Sequence, residues 1–455
     1  MSTIAERLAE YSYSLHYSHL PADVVHLAKR MIIDTLGCAI GGYTSEPSKI
    51  ARDLASTVSS TQACTVIGSG QTSSPDLATF ANGVMIRYLD YNDGYTSKES
   101  GHPSDSIAAV LAATELAGLG GRRAITATIV AYEAFCRLGD AATLKYFGFD
   151  HVTNGCIGSI LGATRSLGLS QQQTLEALNL GIAPNIALGQ TRVGTLSHWK
   201  GCAYANASRN AVFATLLAQR GLTGPSPIFE GEHGFFHAVS REPYEIEPFG
   251  GNGQPFKIAE CSIKRFPLGQ YSQTVVQAAL EAREQMPQVN VDDISEVKIR
   301  TLQKAIDIMA GDDDKWHPST RETADHSMPY TTAVALTYGY VGQNHFDDRY
   351  IFDAKLLDLT SRVKVERSEE ADRRVPEAML CYLDVVTKSG PTYSAEVPFH
   401  KGHYMNPMSD AEVEQKFRSL AKDLLTPEQT DALLEKLWHL EAVEDIGEVL
   451  RLTRI

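Results

Sequence analysis

The apolar residues of this sequence change their spacing twice along the chain. Up to about residue 255 they recur mainly every three to four positions, which is the period of amphipathic helices. Several segments after residue 257 alternate apolar and polar residues, as strands do, and helical spacing returns near residue 405. We therefore predict a mainly α protein, in which a large all-helical domain built from both chain ends (1–256 and 405–455) carries an inserted, smaller α+β domain (257–404).

Individual segments indicate the elements of each domain. Two helices are predicted to begin with a capping box, SQQQTLEALNLGI at Ser170 and MSDAEVEQKFRSLAKDLL at Ser409. The segment WKGCAYANASRNAVFATLLAQRG carries so few charges that we predict a central helix. In the α+β domain we expect strands in FKIAECSIKRFP, ISEVKIRTL, SRVKVERS and CYLDVVTKSGPTYSAEVPFH, the last folded as a hairpin. An amphipathic helix, SQTVVQAALEAREQM, is expected between the first two strands, and a further helix at Tyr330 to Leu336.

Charge and composition argue against several classes of protein. The formal net charge of -14 would repel a phosphate backbone, which argues against nucleic acid as the main partner. No stretch of about 18 apolar residues occurs, and the start, MSTIAERLAEYSYSLHYSHLPADVV, lacks the apolar core of a secretory signal. The seven cysteines include no C-x-x-C pair, which predicts buried free thiols in a reducing compartment. We expect a cytoplasmic protein that acts on a small molecule, without a membrane or nucleic-acid partner.

The stretch LDYNDGYTSKESGHPSD, residues 89–105, gathers titratable side chains immediately before an apolar helix. A helix N-terminus presents free N–H groups and the positive end of the helix dipole, so an anion is stabilised there. His102 is therefore a candidate proton donor or acceptor beside a bound anion. The alternative is structural, with Asp93, Ser104 and Asp105 capping the helix and His102 packed locally.

Asp90 and His151 are further candidates because of where they lie in the sequence. Asp90 ends the apolar segment VMIRYL, where a buried carboxylate needs a partner such as Arg87 or His102. His151 precedes a glycine-rich helix start in KYFGFDHVTNGCIGS, so it could also face a ligand. A purely structural histidine is the alternative at this position.

Cationic side chains define three more candidate positions. Lys200 is the only lysine between residues 145 and 257, and its ammonium either reaches the surface or points into a cleft and binds a carboxylate. Lys264 and Arg265 are adjacent, so on a strand only one of them can face a cleft. A capping network and a catalytic role are both compatible with the polar residues of TRETADHSMPY, namely Arg321, Glu322, Asp325 and His326.

Sequence motifs for metals and nucleotides do not occur. The sequence has no H-E-x-x-H, EF-hand loop, P-loop or G-x-S-x-G, and no G-x-G-x-x-G that follows a strand. We therefore expect neither a metal nor another cofactor.

Six blocks, taken in chain order, resemble the MmgE/PrpD family. They are RYLDYNDGYTSKESGHPSD, FGFDHV, HWKGCAYANASRNAV, IKRFP, TRETADHSMPYTTAVAL and KGHYMNPMSDAEVEQKFR. The blocks run over nearly the whole chain, and their common order is far more specific than any one of them. The family includes 2-methylcitrate dehydratase, cis-aconitate decarboxylase and iminodisuccinate epimerase.

The resemblance implies the same two-domain fold, a homodimer, and a cleft site that uses neither metal nor iron–sulfur cluster. By position it implies a catalytic set and a substrate-binding set of residues. The catalytic set is Asp90, His102, His151 and Lys200. The substrate-binding set is Arg87, Tyr91, Lys264 and Arg265.

The members of this family share one chemical step, the movement of a proton on carbon next to a carboxylate. A histidine would remove the proton, Asp90 would fix the tautomer of a neighbouring histidine, and the cations would stabilise the enolate-like dianion. The resemblance thus implies a cofactor-independent dehydratase acting on 2-methylcitrate or a related small β-hydroxy polycarboxylate, as in propionate metabolism.

Two positions depart from family patterns and keep alternatives open. Twelve residues lead from Asp90 to His102, as in the dehydratase form. Gly269 stands where the decarboxylase form has a histidine, and Gly94 stands where a threonine is usual. The alternatives are an epimerase or decarboxylase of a related di- or tricarboxylate, and a catalytically silent carboxylate-binding member.

Overall fold

The computed structural model describes residues 2–288 and 290–455, and the chain divides into two compact units. The first contains the chain up to Thr191 together with Gly201–Cys261 and Ser409–Ile455. The second contains Arg192–Lys200 and Ser262–Met408. Helices make up 57% of the chain and strands 9%, which confirms the mainly α fold class. The predicted domain limits after residues 256 and 404 stay a prediction.

The first unit begins with a long series of helices. They are α1 (Ile4–Ser14), α2 (Ala22–Gly41), α3 (Glu46–Ser56), α4 (Pro75–Tyr88), α5 (Ile107–Leu116), α6 (Gly121–Ala141), α7 (Val152–Leu167), α8 (Gln171–Ile182) and α9 (Trp199–Gln219). The predicted capping box opens α8, since the Ser170 hydroxyl accepts from the Gln173 N–H. A short antiparallel hairpin, β1 (Cys64–Val66) and β2 (Gln71–Ser73), departs from the all-helical prediction.

Helices α5, α6 and α7 pack against one another in the buried part of the first unit. Glycine lets α6 and α7 approach closely, because a Cβ at Gly158 would lie 2.9 Å from the carbonyl oxygen of Ala131. The α7 helix begins directly after His151, so this packing also fixes the position of that residue.

The second unit combines a four-stranded sheet with helices. Its elements are α10 (Gln273–Glu284), β3 (Ile294–Thr301), α11 (Gln303–Met309), α12 (Asp313–Trp316), α13 (Arg321–Ala324), α14 (Met328–Tyr338), α15 (Asp348–Ile351), α16 (Ala354–Ser361), β4 (Val363–Arg367), α17 (Glu369–Arg374), β5 (Cys381–Thr387) and β6 (Thr392–Val397). The strand order is β4-β3-β5-β6, with β3 and β4 parallel and the other pairs antiparallel.

The core of the second unit follows the predicted alternation. Every second residue of β5 is buried, and α10 packs against β5 and β6. Three of the predicted strand segments and the hairpin are confirmed, but FKIAECSIKRFP is not a strand. Its first part is a 3₁₀ turn, Lys257–Glu260. In its second part the Gln273 side chain, rather than a neighbouring strand, accepts from the backbone N–H groups of Arg265 and Phe266.

The C-terminal segment completes the first unit with α18 (Asp410–Ala421), α19 (Pro427–Trp438) and α20 (Ile446–Arg451). The capping box at Ser409 and Glu412 is present as predicted. The α18 helix packs on α2, where a Cβ at Gly37 would lie 3.0 Å from the ring of Phe417. Both chain ends therefore build this unit.

Two predictions from composition can be compared with the structure. All seven cysteines are free and buried, as expected. Within residues 2–288 and 290–455, no helix is long and apolar enough to span a bilayer.

Candidate active site

In the first unit, a buried arginine at the end of α4 lies between two carboxylates of the segment that leads to α5. Arg87 lies in the last turn of α4, and its Nη1 is 2.7 Å from Oδ1 of Asp90. Its Nε is 3.5 Å from Oδ2 of Asp105. Asp90 has a left-handed backbone (φ 48°), which turns the chain sharply at the end of the helix. Two partners were predicted for Asp90, Arg87 and His102, and the structure pairs it with Arg87.

Asp93 is the central acceptor of the same loop. Its Oδ1 accepts from the N–H and hydroxyl of Ser104 at 3.1 and 2.6 Å, and its Oδ2 accepts from the hydroxyl of Tyr132 at 2.6 Å. Burial raises the pKa of Asp93 to about 6, although these hydrogen bonds act in the opposite direction. Asp93 thereby caps the short turn Pro103–Ser106 that leads into α5. The capping alternative is correct for Asp93, whereas Asp105 pairs with Arg87.

His102 is held by the backbone of this loop. Its Nδ1 lies 2.6 Å from the carbonyl oxygen of Asp93. Because a carbonyl can only accept, Nδ1 carries the proton and the Nε2 of the neutral ring carries the lone pair. The tautomer of His102 is therefore set by the Asp93 carbonyl, and the prediction that Asp90 sets it is wrong.

His151 is oriented by the residue immediately before it. Its Nδ1 lies 2.6 Å from Oδ1 of Asp150, a buried carboxylate that also accepts from the Val152 N–H. In the part of the chain that the structure describes, Nε2 of His151 has no hydrogen-bond partner. Sequence reasoning missed Asp150, although its position next to the histidine in FGFDHV was a usable signal.

The two histidines are neighbours in the folded first unit. Their ring centroids are 5.7 Å apart, and the rings meet edge to face. Gly101 makes this approach possible, because a Cβ at this position would lie 2.6 Å from Cδ2 of His151 and 2.5 Å from Cζ of Phe135. Two imidazoles with protonated Nδ1 atoms can each take up and return a proton at Nε2.

Glu99 connects the two segments that carry the histidines. Its carboxylate accepts from the backbone N–H groups of Leu144 and Lys145 at 2.6 and 2.9 Å, and from the hydroxyl of Thr143. The Glu99 N–H itself donates to the carbonyl of Gly139. The loop before His102 is thereby tied to the segment before His151. Nothing in the sequence distinguishes this glutamate from a surface residue.

Tyr91 contacts the C-terminal helix α18. The ammonium of Lys416 lies 3.8 Å from the centre of the Tyr91 ring and donates to its carbonyl oxygen. Lys416 also forms a buried ion pair with Asp34, 2.6 Å away. In this structure Tyr91 therefore helps to anchor α18, and its assignment to substrate binding stays a prediction.

In the second unit, Lys200 forms a buried ion pair. Its Nζ is 2.6 Å from Oδ1 of Asp325, and Nδ1 of His326 is 2.6 Å from the same oxygen. The Lys200 side chain is only 3% exposed, so it does not extend to the surface. The pairing of Lys200 with Asp325 was not predicted, because these residues lie far apart in the sequence.

Lys264 and Arg265 were predicted to lie on a strand and to point to opposite faces. They do not lie on a strand, but they differ in exposure. Lys264 is completely buried, whereas Arg265 is exposed with its guanidinium near the ring of Phe266. His400 is close enough to feel the charge of Lys264. Burial, with a smaller contribution from the charges of His403 and Lys264, lowers the pKa of His400 to about 3. His400 is therefore neutral near pH 7.

Most of this chain matches two known protein domains. Residues 6–247 match the MmgE/PrpD N-terminal domain, and residues 266–440 match the MmgE/PrpD C-terminal domain. A human (Homo sapiens) protein named cis-aconitate decarboxylase is 26% identical over 475 residues, covering 100% of this chain and 95% of that protein.

Two dehydratases are also similar. The 2-methylcitrate dehydratase of Escherichia coli (strain K12) is 28% identical over 372 residues, covering 77% of this chain and 75% of that protein. Alkylcitrate dehydratase phiI from a fungal species is 26% identical over 456 residues, covering 90% and 86%. Dehydratases and decarboxylases are both lyases. Because the two family domains together match most of the sequence, this chain belongs to the MmgE/PrpD family.

Proposed function

We propose that this protein is a cofactor-independent dehydratase that removes water from 2-methylcitrate or a related small β-hydroxy polycarboxylate. The observation that carries the proposal is the histidine pair, with ring centroids 5.7 Å apart and both Nδ1 atoms engaged by acceptors. Elimination of water needs one base for the C–H next to a carboxylate and one acid for the departing hydroxyl. A pair of adjacent imidazoles can provide both groups.

We assign the base to His151 and the acid to His102. When Nε2 of His151 takes a proton from carbon, the imidazolium that forms donates from Nδ1 to the Asp150 carboxylate, which stabilises the charge. The protonated form of His102 gives the proton on Nε2 to the hydroxyl, which leaves as water while the carbon–carbon double bond forms. His102 donates from Nδ1 to an uncharged carbonyl rather than to a carboxylate, and we therefore assign the acid to it.

Cations are needed because the enolate-like intermediate carries additional negative charge. The proposal gives this role to Lys200 and Lys264, with Arg87, Tyr91 and Arg265 in substrate binding. Lys200 carries its positive charge in a buried position beside Asp325, and this charge can attract a substrate carboxylate. Asp90 acts by holding Arg87 in place. Cytoplasmic location, a homodimer and a role in propionate metabolism belong to the same proposal.

The decisive experiment incubates the purified protein with 2-methylcitrate, citrate and cis-aconitate in deuterated water containing a chelator. Loss of hydroxyl with absorbance from a new alkene supports the dehydratase. Deuterium exchange without elimination would instead identify an epimerase-type reaction, and absence of exchange on every substrate would identify a silent binding protein. In the variants, His102→Asn should retain C–H exchange but lose elimination, whereas His151→Asn should lose both.

Decarboxylation of cis-aconitate is the second candidate, and one observation favours it. The human decarboxylase aligns with the whole of this chain, whereas the bacterial dehydratase aligns with 77% of it. The twelve-residue spacing from Asp90 to His102 and the glycine at position 269 favour the dehydratase. The same incubation separates the two reactions, because only decarboxylation releases carbon dioxide from cis-aconitate.

A further inference from the structure

Lys315 is a buried cation of the second unit that the proposed mechanism does not use. It lies on α12, and its side chain is among the largest that are almost completely buried, with 2% of the residue exposed. Its backbone is fixed on both sides, since its N–H donates to the Asp312 carboxylate and its carbonyl accepts from the hydroxyl of Ser327. These two hydrogen bonds hold the backbone from which the buried side chain extends.

The ammonium of Lys315 lacks an acceptor. Within residues 2–288 and 290–455, its Nζ makes no hydrogen bond, although an ammonium has three protons to donate. Burial lowers the pKa of Lys315, and this effect exceeds the attraction of nearby carboxylates. A buried ammonium without an acceptor destabilises the fold, and a bound anion would remove this cost.

The surroundings of Lys315 favour an anion over a structural partner. The nearby charges are those of Lys200, Asp325, Asp312 and Asp314. Asp325 is already bonded to Lys200, and Asp312 is bonded to the backbone N–H of Lys315. The fourth group, Asp314, accepts from the hydroxyl of Thr195. Asp312 and Asp314 are also partly exposed, so solvent screens them, and the buried charges of Lys315, Lys200 and Asp325 together are positive.

We propose that Lys315 binds a carboxylate of the substrate, in addition to the carboxylate next to the reacting carbon. This inference rests on the proposed function and specifies it, because it requires a substrate with at least two carboxylates. Lys200 and Lys315 lie near each other in one unit, so they are suited to neighbouring carboxylates of one small molecule. A monocarboxylate bound at Lys200 would leave the ammonium of Lys315 buried without an acceptor.

The test uses Lys315→Met, which keeps the side-chain length and removes the charge. The probe is tricarballylate, a tricarboxylate without a hydroxyl, so it can bind but cannot lose water. Isothermal titration should show binding to the wild type and a loss of about 10- to 100-fold in affinity for the variant. Lys298→Met is the matched control, because Lys298 is exposed on β3 beside Glu296, and it should bind like the wild type.

Thermal unfolding distinguishes binding from a structural role. Without ligand, Lys315→Met should melt at the same temperature as the wild type or higher, because an uncompensated buried charge is removed. A structural role predicts a clearly lower melting temperature instead. That result would overturn the inference, as would an affinity for tricarballylate within twofold of the wild type, or no binding to the wild type at all.

The proposed function and this inference can fail separately. If the wild type binds tricarballylate through Lys315 but never converts a polycarboxylate, the inference stands and the dehydratase proposal fails. If Lys315→Met dehydrates the substrate with an unchanged KM, the dehydratase stands and the inference fails.

Discussion

Gly101→Ala tests whether the close approach of the two histidines matters for catalysis. The added Cβ would lie 2.6 Å from the His151 ring and 2.5 Å from the Phe135 ring. Ordinary carbon contacts begin near 3.4 Å, so a ring must move by about 0.8 Å. The backbone of Gly101 is outside the left-handed region, so the effect of the methyl group is steric alone.

The expected loss is larger in activity than in stability. Overpacking of this kind costs about 1–3 kcal/mol in the free energy of unfolding. A displacement of about 1 Å between reacting groups costs on the order of 100-fold in rate, so kcat should fall by about that factor. Hydrogen exchange at the substrate C–H should fall with it, because His151 is the proposed base.

Steady-state kinetics, thermal unfolding and a matched variant check this prediction. Gly201→Ala is the control, because a Cβ there would meet its nearest heavy atom, Cα of Tyr88, at an ordinary 3.6 Å. That helix position should gain up to about 1 kcal/mol from alanine and keep its activity. The reasoning is refuted if Gly101→Ala retains wild-type kcat while a crystal structure shows the ring of His151 displaced.

Three further variants test the site. His102→Ala should reduce turnover by at least about 100-fold with little change in melting temperature; a large drop in melting temperature would show that His102 is structural. Asp150→Asn should lower kcat by about 10- to 100-fold, because a neutral amide cannot stabilise the imidazolium of His151; steady-state kinetics with an unchanged kcat would contradict this. Burial raises the pKa of Asp93 to about 6, so in the folded protein it holds its proton where the unfolded chain has lost it. The free energy of unfolding should therefore fall by about 3 kcal/mol as pH rises from about 4 to 6, and Asp93→Asn should remove this slope from urea titrations; an equally steep profile would disprove the assignment.

Most helices and strands of the fold could be predicted from the sequence. The apolar spacing predicted helices at both ends of the chain and three of the strand segments of the second unit, and the capping boxes at Ser170 and Ser409 are present. The segment FKIAECSIKRFP was misread. Apolar and polar residues alternate in this segment, but its backbone is irregular, and the Gln273 side chain accepts hydrogen bonds from its N–H groups. Alternation in the sequence alone cannot distinguish such a segment from a strand.

Residue types of the candidate site were also predictable, but their partners were not. Position at the end of an apolar segment predicted that Asp90 would need a partner such as Arg87 or His102, and the structure places Arg87 beside it. Asp90 was also predicted to fix the tautomer of a histidine, but in the structure the Asp93 carbonyl oxygen fixes the tautomer of His102. Sequence reasoning overlooked Asp150, Glu99 and Lys315, since isolated carboxylates and lysines are common on solvated surfaces.

By itself the sequence determined where most helices and strands form, and that Asp90 and Lys200 lie in apolar surroundings, because both depend on the order of neighbouring residues. Only the tertiary structure decided that His102 meets His151, that Lys200 pairs with Asp325 and that Lys315 is buried without an acceptor. The physical reason is that these contacts join residues far apart in the chain. Many side chains could pair with the same charged group, and the packing of the helices decides which of them lies close enough.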